Sequence, residues 1–322
     1  MYRVSQAKQV DRIKHLHDRA HMLSRARQFF LERNVLEVDC PALSRFASVD
    51  SHIDLIPALY QRQDKAYLHS SPEYGIKRLL AEGIGDVYQL SHVFRDGEFG
   101  RHHNPEFMMA EWYRCGISFQ AMIDETLDFI RLFVGDLYAR HMTYREMFQH
   151  YAGIDYTAFS VNDLLHFLEG RGIEASPDVV LEGKDALLNQ VLGTVIEPQL
   201  GVGELFVLTH YPASQAALAK TLLHGDELVA ERFEVYLYGI ELANGYHELT
   251  DYEEQLRRCI EANRERKKMG KEELPIDENF LSAMAKGIPQ CCGVAVGFDR
   301  LMMLRHNAGR LSDVIPFSWD QA

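Results

Sequence analysis

Val87-Tyr88-Gln89-Leu90-Ser91-His92-Val93-Phe94-Arg95, then eleven residues from Asp96 to Glu106, then Phe107-Met108-Met109-Ala110-Glu111-Trp112-Tyr113: two strand-prone runs flank one polar connection. A connection this short favours antiparallel pairing. Side chains alternate along a strand, so Phe107, Met109, Glu111 and Tyr113 share one face. An acid and a phenol two residues apart on that face can together meet a cationic group. Arg95 closes the first strand, where a guanidinium is a rigid fork for phosphate or carboxylate. Each residue also has a plainer explanation, Arg95 as a surface charge and Glu111 as half of a structural ion pair.

Upstream, Ile13, Leu16, Ala20, Leu23, Phe30 and Leu31 fall close to helical spacing, which predicts a long helix over 10–33 that Asn34 ends. Val35-Leu36-Glu37-Val38 then alternates as a strand until Pro41 stops it. Downstream, Ile123, Leu127, Ile130, Val134 and Leu137 step by 4, 3, 4 and 3, predicting an amphipathic helix over 121–138. Further helices are expected at about 161–170, 184–193, 251–268, 277–286 and 299–306, with strands at 205–208, 233–242 and 293–296. Strands and helices do not alternate in a βαβ rhythm, so the expected class is α+β, a mainly antiparallel sheet flanked by helices. Residues 1–322 read as a single domain with a partly helical insertion at about 150–205, since no repeat, biased tract or linker divides them.

Two more blocks carry chemistry. Acids recur at Glu234, Glu241 and Glu248 inside apolar, strand-prone sequence. Charges are seldom buried without partners, so three carboxylates here ask for a cation, unless they simply face solvent. A hard divalent ion held by carboxylates and substrate phosphates suits Glu234 and Glu241. Asn244-Gly245 signals a tight turn. The third block, Gly293-Val294-Ala295-Val296-Gly297-Phe298-Asp299-Arg300-Leu301, reads as a small-residue strand, a glycine, and a helix opening near Asp299. Its glycines allow close backbone approach, and Arg300 in the first turn can reach a phosphate.

Composition sets the bounds. A chain of 322 residues, 47% hydrophobic, can bury a large core and sits near the upper limit for one domain. No apolar run approaches the roughly 20 residues of a membrane span and the Met1 end has no apolar h-region, so a cytoplasmic chain with no membrane partner is expected. Five scattered cysteines form no zinc-ligand spacing, and adjacent Cys291 and Cys292 are expected to be packing residues at a strand start. The net charge of −13 argues against tRNA as a partner, because nucleic acid is gripped largely through Lys and Arg on phosphates. The local run Arg264-Glu265-Arg266-Lys267-Lys268 is expected to be a solvated helix face.

Taken together and in this order, the blocks resemble the signature motifs of class II aminoacyl-tRNA synthetases, specifically the lysyl branch. Phe94-Arg95 through His103-Asn104-Pro105-Glu106-Phe107 to Glu111-Trp112-Tyr113 is similar to motif 2, Gly297-Phe298-Asp299-Arg300-Leu301 to motif 3, and the long helix ending in Val35-Leu36-Glu37-Val38-Asp39-Cys40-Pro41 to motif 1. Ser71-Pro72-Glu73 and Glu241-Leu242-Ala243-Asn244-Gly245-Tyr246-His247-Glu248 match lysyl-type substrate loops. The resemblance runs from about residue 10 onward and implies the class II catalytic fold, ATP and Mg²⁺, a lysine-type amino acid and a homodimer through motif 1. It implies that Arg95 holds the α-phosphate and the amino-acid carboxylate, while Arg300 binds the outer phosphates and covers the adenine opposite Phe107. Gly97, Glu98, Asn104, Leu242 and Gly297 complete the implied nucleotide site, and Glu234 and Glu241 the metal site. Glu73, in the Ser71-Pro72 loop, would take the near amino group. Glu111, Tyr113 and Glu248 would take the distal ammonium, with Asn244 orienting the substrate.

Two departures from the lysyl pattern matter. The family places an acid two residues beyond the motif 2 arginine; here that position is Gly97 and the acid is Glu98. The resemblance also begins almost at motif 1, so the anticodon-binding barrel of the lysyl-tRNA synthetases is expected to be missing. An acidic domain of this kind resembles the elongation factor P β-lysine ligase family, whose members join (R)-β-lysine to a lysine of elongation factor P. Ala295 stands where lysyl-tRNA synthetases tend to carry glycine, and its methyl would reshape the pocket. A free-standing lysyl-tRNA synthetase-like enzyme and a non-catalytic synthetase-like module are the alternatives; the latter is expected to lose Arg95, Arg300, Glu234 and Glu241, all present here.

Overall fold

The computed structural model describes residues 12–322, so the first two positions of the helix expected at 10–33 lie outside the described residues. The chain forms two compact units. The first comprises the described residues up to Asp136 together with Thr250–Arg266 and Glu272–Ala322; the second comprises Leu137–Leu249 and Lys267–Lys271. The insertion expected at about 150–205 lies inside the second.

The first unit opens with α1 (Arg12–Glu32), which Asn34 ends in a left-handed conformation. After β1 (Leu36–Glu37), three short strands, β2 (Leu43–Ser44), β3 (Pro57–Tyr60) and β4 (Asp64–Leu68), form a small antiparallel sheet in the order β2-β4-β3, which no sequence signal marked. Then come α2 (Glu73–Ala81), β5 (Val87–Phe94), β6 (Glu106–Cys115) and α3 (Phe119–Val134). Gly135, at positive φ, caps α3, so the amphipathic helix stops short of Leu137. Its earlier apolar steps hold, and Ile123, Leu127 and Ile130 are buried.

The second unit contains β7 (Ala139–Thr143), α4 (Tyr144–Met147), α5 (Val161–Glu169), α6 (Pro177–Glu182), α7 (Lys184–Val191), β8 (Leu205–Pro212), β9 (Thr221–His224), β10 (Glu227–Leu237) and β11 (Ile240–His247). Its strands run β11-β10-β8-β7, with β9 also pairing β10. Residues 233–242, expected as one strand, are instead the ends of two strands joined at Tyr238-Gly239, both at positive φ. A Cβ on Gly239 would sit 2.8 Å from the Glu197 carbonyl oxygen, so the turn needs glycine there. Asn244-Gly245 is correspondingly not a turn: both residues pair within β11, Asn244 opposite Glu234 and Gly245 opposite Phe233. The paired flanks outweigh the local turn preference of that dipeptide.

The chain returns to the first unit with α8 (Tyr252–Lys268), α9 (Glu278–Lys286), β12 (Cys291–Gly297) and α10 (Phe298–Arg305). Here the sheet order is β1-β5-β6-β12, with β1 parallel to β5 and the others antiparallel. The back of this sheet is an aromatic stack. Phe30 lies on Tyr88 at 4.1 Å between centroids and meets Trp112 and Phe129 at 5.2 and 5.4 Å. Removing one such ring costs about 3–5 kcal/mol. With Trp112 committed to the helices, Glu111 and Tyr113 must face the other way. Cys291 and Cys292 are buried at the start of β12, as expected. Arg266 corrects the solvated reading of its run: it is buried, pairing with Asp54 at 3.0 Å and donating to the Glu272 carbonyl.

Candidate active site

On the open face of the first unit's sheet, register does the placing. Glu111 pairs with Gln89 on one side and Ala295 on the other, Tyr113 with Val87 and Gly293, and Met109 with Ser91 and Gly297. Opposed residues point to the same side, so Glu111 and the Ala295 methyl are direct neighbours. Glu111 is 2% exposed. The Tyr113 hydroxyl donates to one of its oxygens at 2.7 Å, and the Ser71 hydroxyl to the other at 2.7 Å. Ser71 also accepts from the backbone N–H of Glu73 at 3.0 Å, which fixes the start of α2 after Pro72. Burial and the nearby Glu73 charge push the Glu111 carboxyl up to about 7, against the pull of Ser71, Tyr113 and Lys77.

Lys77 is one residue that sequence reasoning missed. One turn after Glu73 on α2 and 0% exposed, it sets its ammonium 2.5 Å from the Glu73 carboxylate. The signal was present as an acid–lysine pair at i, i+4. A lysine is almost never fully buried without a charge partner, and here the partner is an expected substrate ligand.

The loop from Asp96 to Pro105 presents the cationic side of the same unit. Arg95 lies over the Phe107 ring at 5.2 Å and faces Glu98 at 3.6 Å; its buried Nε has no hydrogen-bond partner among the described residues. Glu98 thus stands beside the arginine, and Gly97, at positive φ, turns the loop. Arg300, in the first turn of α10 after Gly297, donates to His103 Nε2 at 2.8 Å. Burial, then the Arg300 charge, lowers the His103 pKa and favours the neutral ring that can accept this bond. His103 is thus a loop group that supports Arg300. Asp299 serves the scaffold. It is buried, pairs with Arg19 of α1 and accepts the Met108 N–H at 2.9 Å. Asn104 is buried, its amide donating to the Glu106 carbonyl at 2.7 Å and accepting from the Trp319 N–H at 2.9 Å.

The second unit carries the other expected carboxylates. Glu234 is 6% exposed and holds Arg232 at 2.5 Å through one oxygen and the Tyr236 hydroxyl through the other. Arg232 in turn donates to Asn244 Oδ1 at 3.2 Å and to the Gln215 carbonyl at 2.9 Å, with its guanidinium 4.3 Å over the Tyr211 ring. Arg232 was not anticipated; its alternation with Glu234 and Tyr236 was the available cue. Register shifts between Val235 and Tyr236, leaving the buried Leu242 unpaired and setting the partly exposed Glu241 opposite Tyr236. Each carboxylate oxygen has two lone pairs, so Glu234 keeps acceptor capacity beyond its two protein bonds. Glu241 and Glu234 therefore fit the all-oxygen ligand set of a hard divalent ion completed by phosphates. Glu248 is buried and bridges to Ala219 through the backbone. No described helix is long and apolar enough to cross a membrane.

Comparison with known proteins supplies the family context. The family described as "tRNA synthetases class II (D, K and N)" matches residues 1–321. The "Elongation factor P--(R)-beta-lysine ligase" of Mannheimia succiniciproducens is 41% identical over 315 residues, which cover 96% of each chain. Proteins of the same name from Haemophilus influenzae and Salmonella gallinarum are 40% and 41% identical over the same coverage.

Proposed function

The chain belongs to the class II tRNA synthetases, an enzyme of the ligase class, and from that premise we propose that it activates a lysine-type amino acid with ATP and passes it to a lysine side chain of elongation factor P. The observation that carries the substrate class is the Glu111 carboxylate, desolvated yet held by Ser71 and Tyr113 with Ala295 opposite. A buried acid of this kind accepts an ammonium at a distance set by the pocket, which suits the distal amine of lysine or of (R)-β-lysine. The acceptor reading rests on the names of the relatives and on a net charge of −13, unfavourable to tRNA.

In the proposed reaction the amino-acid carboxylate attacks the α-phosphorus of ATP in line, diphosphate leaves, and an acyl-adenylate forms. The ε-amine of the acceptor then attacks the acyl carbon, forming the amide and releasing AMP with one proton. No protein nucleophile is needed; catalysis is positioning plus charge stabilisation. Arg95 would bridge the carboxylate and the α-phosphate. Arg300 would hold the outer phosphates. Glu73 would take the near amino group and Glu111 the distal one. Glu241, with Glu234, would hold Mg²⁺, which when bound neutralises charge on the triphosphate.

Intact-mass measurement tests the proposal. Elongation factor P incubated with the protein, ATP, Mg²⁺ and each lysine isomer should gain one lysyl mass, and should not when its acceptor lysine is replaced by Ala. Charging of lysine tRNA with elongation factor P left unmodified would overturn the acceptor and favour a synthetase-like enzyme.

A further inference from the structure

The loop between β5 and β6 is long, polar and bears the residues proposed to grip ATP, yet it is braced by a segment more than 200 positions away in sequence. Long surface loops are ordinarily mobile. Here the Arg101 side chain donates to the Gly309 carbonyl at 2.6 Å, and the Leu311 N–H donates to the Arg101 carbonyl at 2.9 Å. At the loop's far end the Trp319 backbone N–H donates to Asn104 Oδ1 at 2.9 Å, and the Asn104 amide donates to the Glu106 carbonyl at 2.7 Å. Asn104 is thus clamped between the segment and the first residue of β6.

The clamp depends on the backbone of Trp319, not its ring. The indole is 65% exposed, and Phe317 two residues earlier is 61% exposed, so packing does not hold residue 319 in place. Buried Ser318 between them does. Its hydroxyl donates to Asp320 Oδ1 at 2.5 Å, and its carbonyl accepts from the N–H groups of Gln321 and Ala322 at 2.8 and 3.0 Å, closing a turn that leaves the Trp319 N–H for Asn104. Upstream, Leu311, Val314 and Ile315 are buried and anchor the segment. Asn104 keeps a second amide hydrogen and further lone pairs beyond these two bonds, so bracing does not exhaust it. His103, its neighbour, is the group that Arg300 touches at 2.8 Å.

We propose that Gly309–Asp320 is a brace for the nucleotide-binding loop, and that Trp319, through its backbone N–H, is a positioning residue that holds Asn104 and with it the His103–Arg300 contact. The positioning role rests on the ATP-binding reading above; the brace itself does not.

Trp319→Pro removes the N–H, whereas Trp319→Ala keeps it and removes only an exposed ring. In ATP–diphosphate exchange, Trp319→Pro should raise the KM for ATP about three- to tenfold, the scale of one buried hydrogen bond, with the amino-acid KM unchanged. Trp319→Ala should stay within about twofold of wild type. Without any ligand, amide hydrogen exchange across residues 97–104 should accelerate in Trp319→Pro and not in Trp319→Ala. Ending the chain after Ser318 should reproduce the Pro result should that variant fold poorly, and Trp319→Pro introduced into Asn104→Ala should add nothing to the effect of Asn104→Ala alone. Equal loop exchange in wild type and Trp319→Pro, or equal damage from Pro and Ala, overturns the brace. A wild-type protein without ATP–diphosphate exchange sinks the ATP reading while the hydrogen-exchange comparison still decides the brace.

Discussion

The first unit grips charge in two opposite ways. Around Glu111 the polar groups are buried and already satisfied: Ser71, Tyr113, Glu73 and Lys77 hold one another before any ligand arrives. Around Arg95 they are partly exposed and loosely held, with a stacking contact at 5.2 Å, an ion pair at 3.6 Å and an Nε without a partner among the described residues. Polar groups already held in place suit a small ligand whose charges sit at fixed separation, since little ordering remains to oppose binding. Guanidiniums at a strand end and a helix start suit a flexible triphosphate, whose oxygens complete the bonding. Specificity should therefore reside at the carboxylate end and rate at the guanidinium end.

The strongest way to break this division is Arg95→Ala. It should lower ATP–diphosphate exchange by about 10²–10³-fold, the scale of removing one preorganised donor to developing charge, while the melting temperature stays near wild type. A loss of stability with exchange retained would place Arg95 among the structural groups.

Lys77→Met cuts into the other end. Removing one partner of a buried ion pair leaves Glu73 uncompensated, a loss of about 3–5 kcal/mol in stability. The amino-acid KM should rise while the KM for ATP holds. Chemical denaturation with separate KM measurements for the two substrates would check it, and a KM increase shared equally between them would dissolve the contrast.

How much of this was legible in the sequence follows from what each signal reports. Alternation in 107–113 and helical stepping in 123–134 report burial directly, so β6 and α3 were readable to within a few residues. The Asn244-Gly245 turn and the single strand over 233–242 failed together: a local dipeptide preference cannot register that both flanks are paired, whereas Tyr238-Gly239, without an obvious turn signature, takes the bend because only positive φ fits there. At the site, residues that match a known motif were nameable. Those that hold them were not: Lys77 and Arg232 carry local cues, an i, i+4 pair and strand alternation, that do not report burial, while Asp299 and the Trp319 amide act through contacts distant in sequence.

Acidity sharpens the carboxylate end with a smaller effect. The Glu111 carboxyl is raised to about 7 from an ordinary 4.5, chiefly by burial and next by Glu73. An ammonium binds the ionised form, so the amino-acid KM should climb about tenfold per pH unit below 7 and level off above it. Without amino acid the sign on stability is reversed from the usual carboxylate. The folded state binds this proton more tightly than the unfolded chain, so the contribution is complete below pH 4.5 and is lost as pH rises through 7, on the order of 3 kcal/mol. Asp155 and Glu254, held down to about 2 chiefly by Arg145 and Arg257, act with the opposite sign and only below pH 4.5. Melting curves from pH 5 to 8 for wild type and Glu111→Gln should separate the two; a flat difference between them would remove Glu111 as the titrating group.

The smallest expected change is the most specific. Ala295 lies directly opposite Glu111 across the β12–β6 pair, so its methyl borders the space beside the carboxylate proposed to take the distal ammonium. The two lysine isomers carry the same terminal ammonium but place the near amino group on different carbons. One methyl at the wall can therefore favour the isomer whose chain bends away from it without altering the charge contacts. Ala295→Gly should shift preference away from β-lysine toward α-lysine by about 1 kcal/mol, at the low end for a methylene-sized change, or roughly fivefold in the ratio of kcat/KM values. The KM for ATP should not move, since Arg95 and Arg300 are untouched. Added glycine flexibility in β12 would weaken both isomers alike, so the ratio, not either rate, is the quantity to measure. An unchanged ratio with both rates lowered would assign Ala295 to strand packing and leave selection to the Ser71–Glu73 loop.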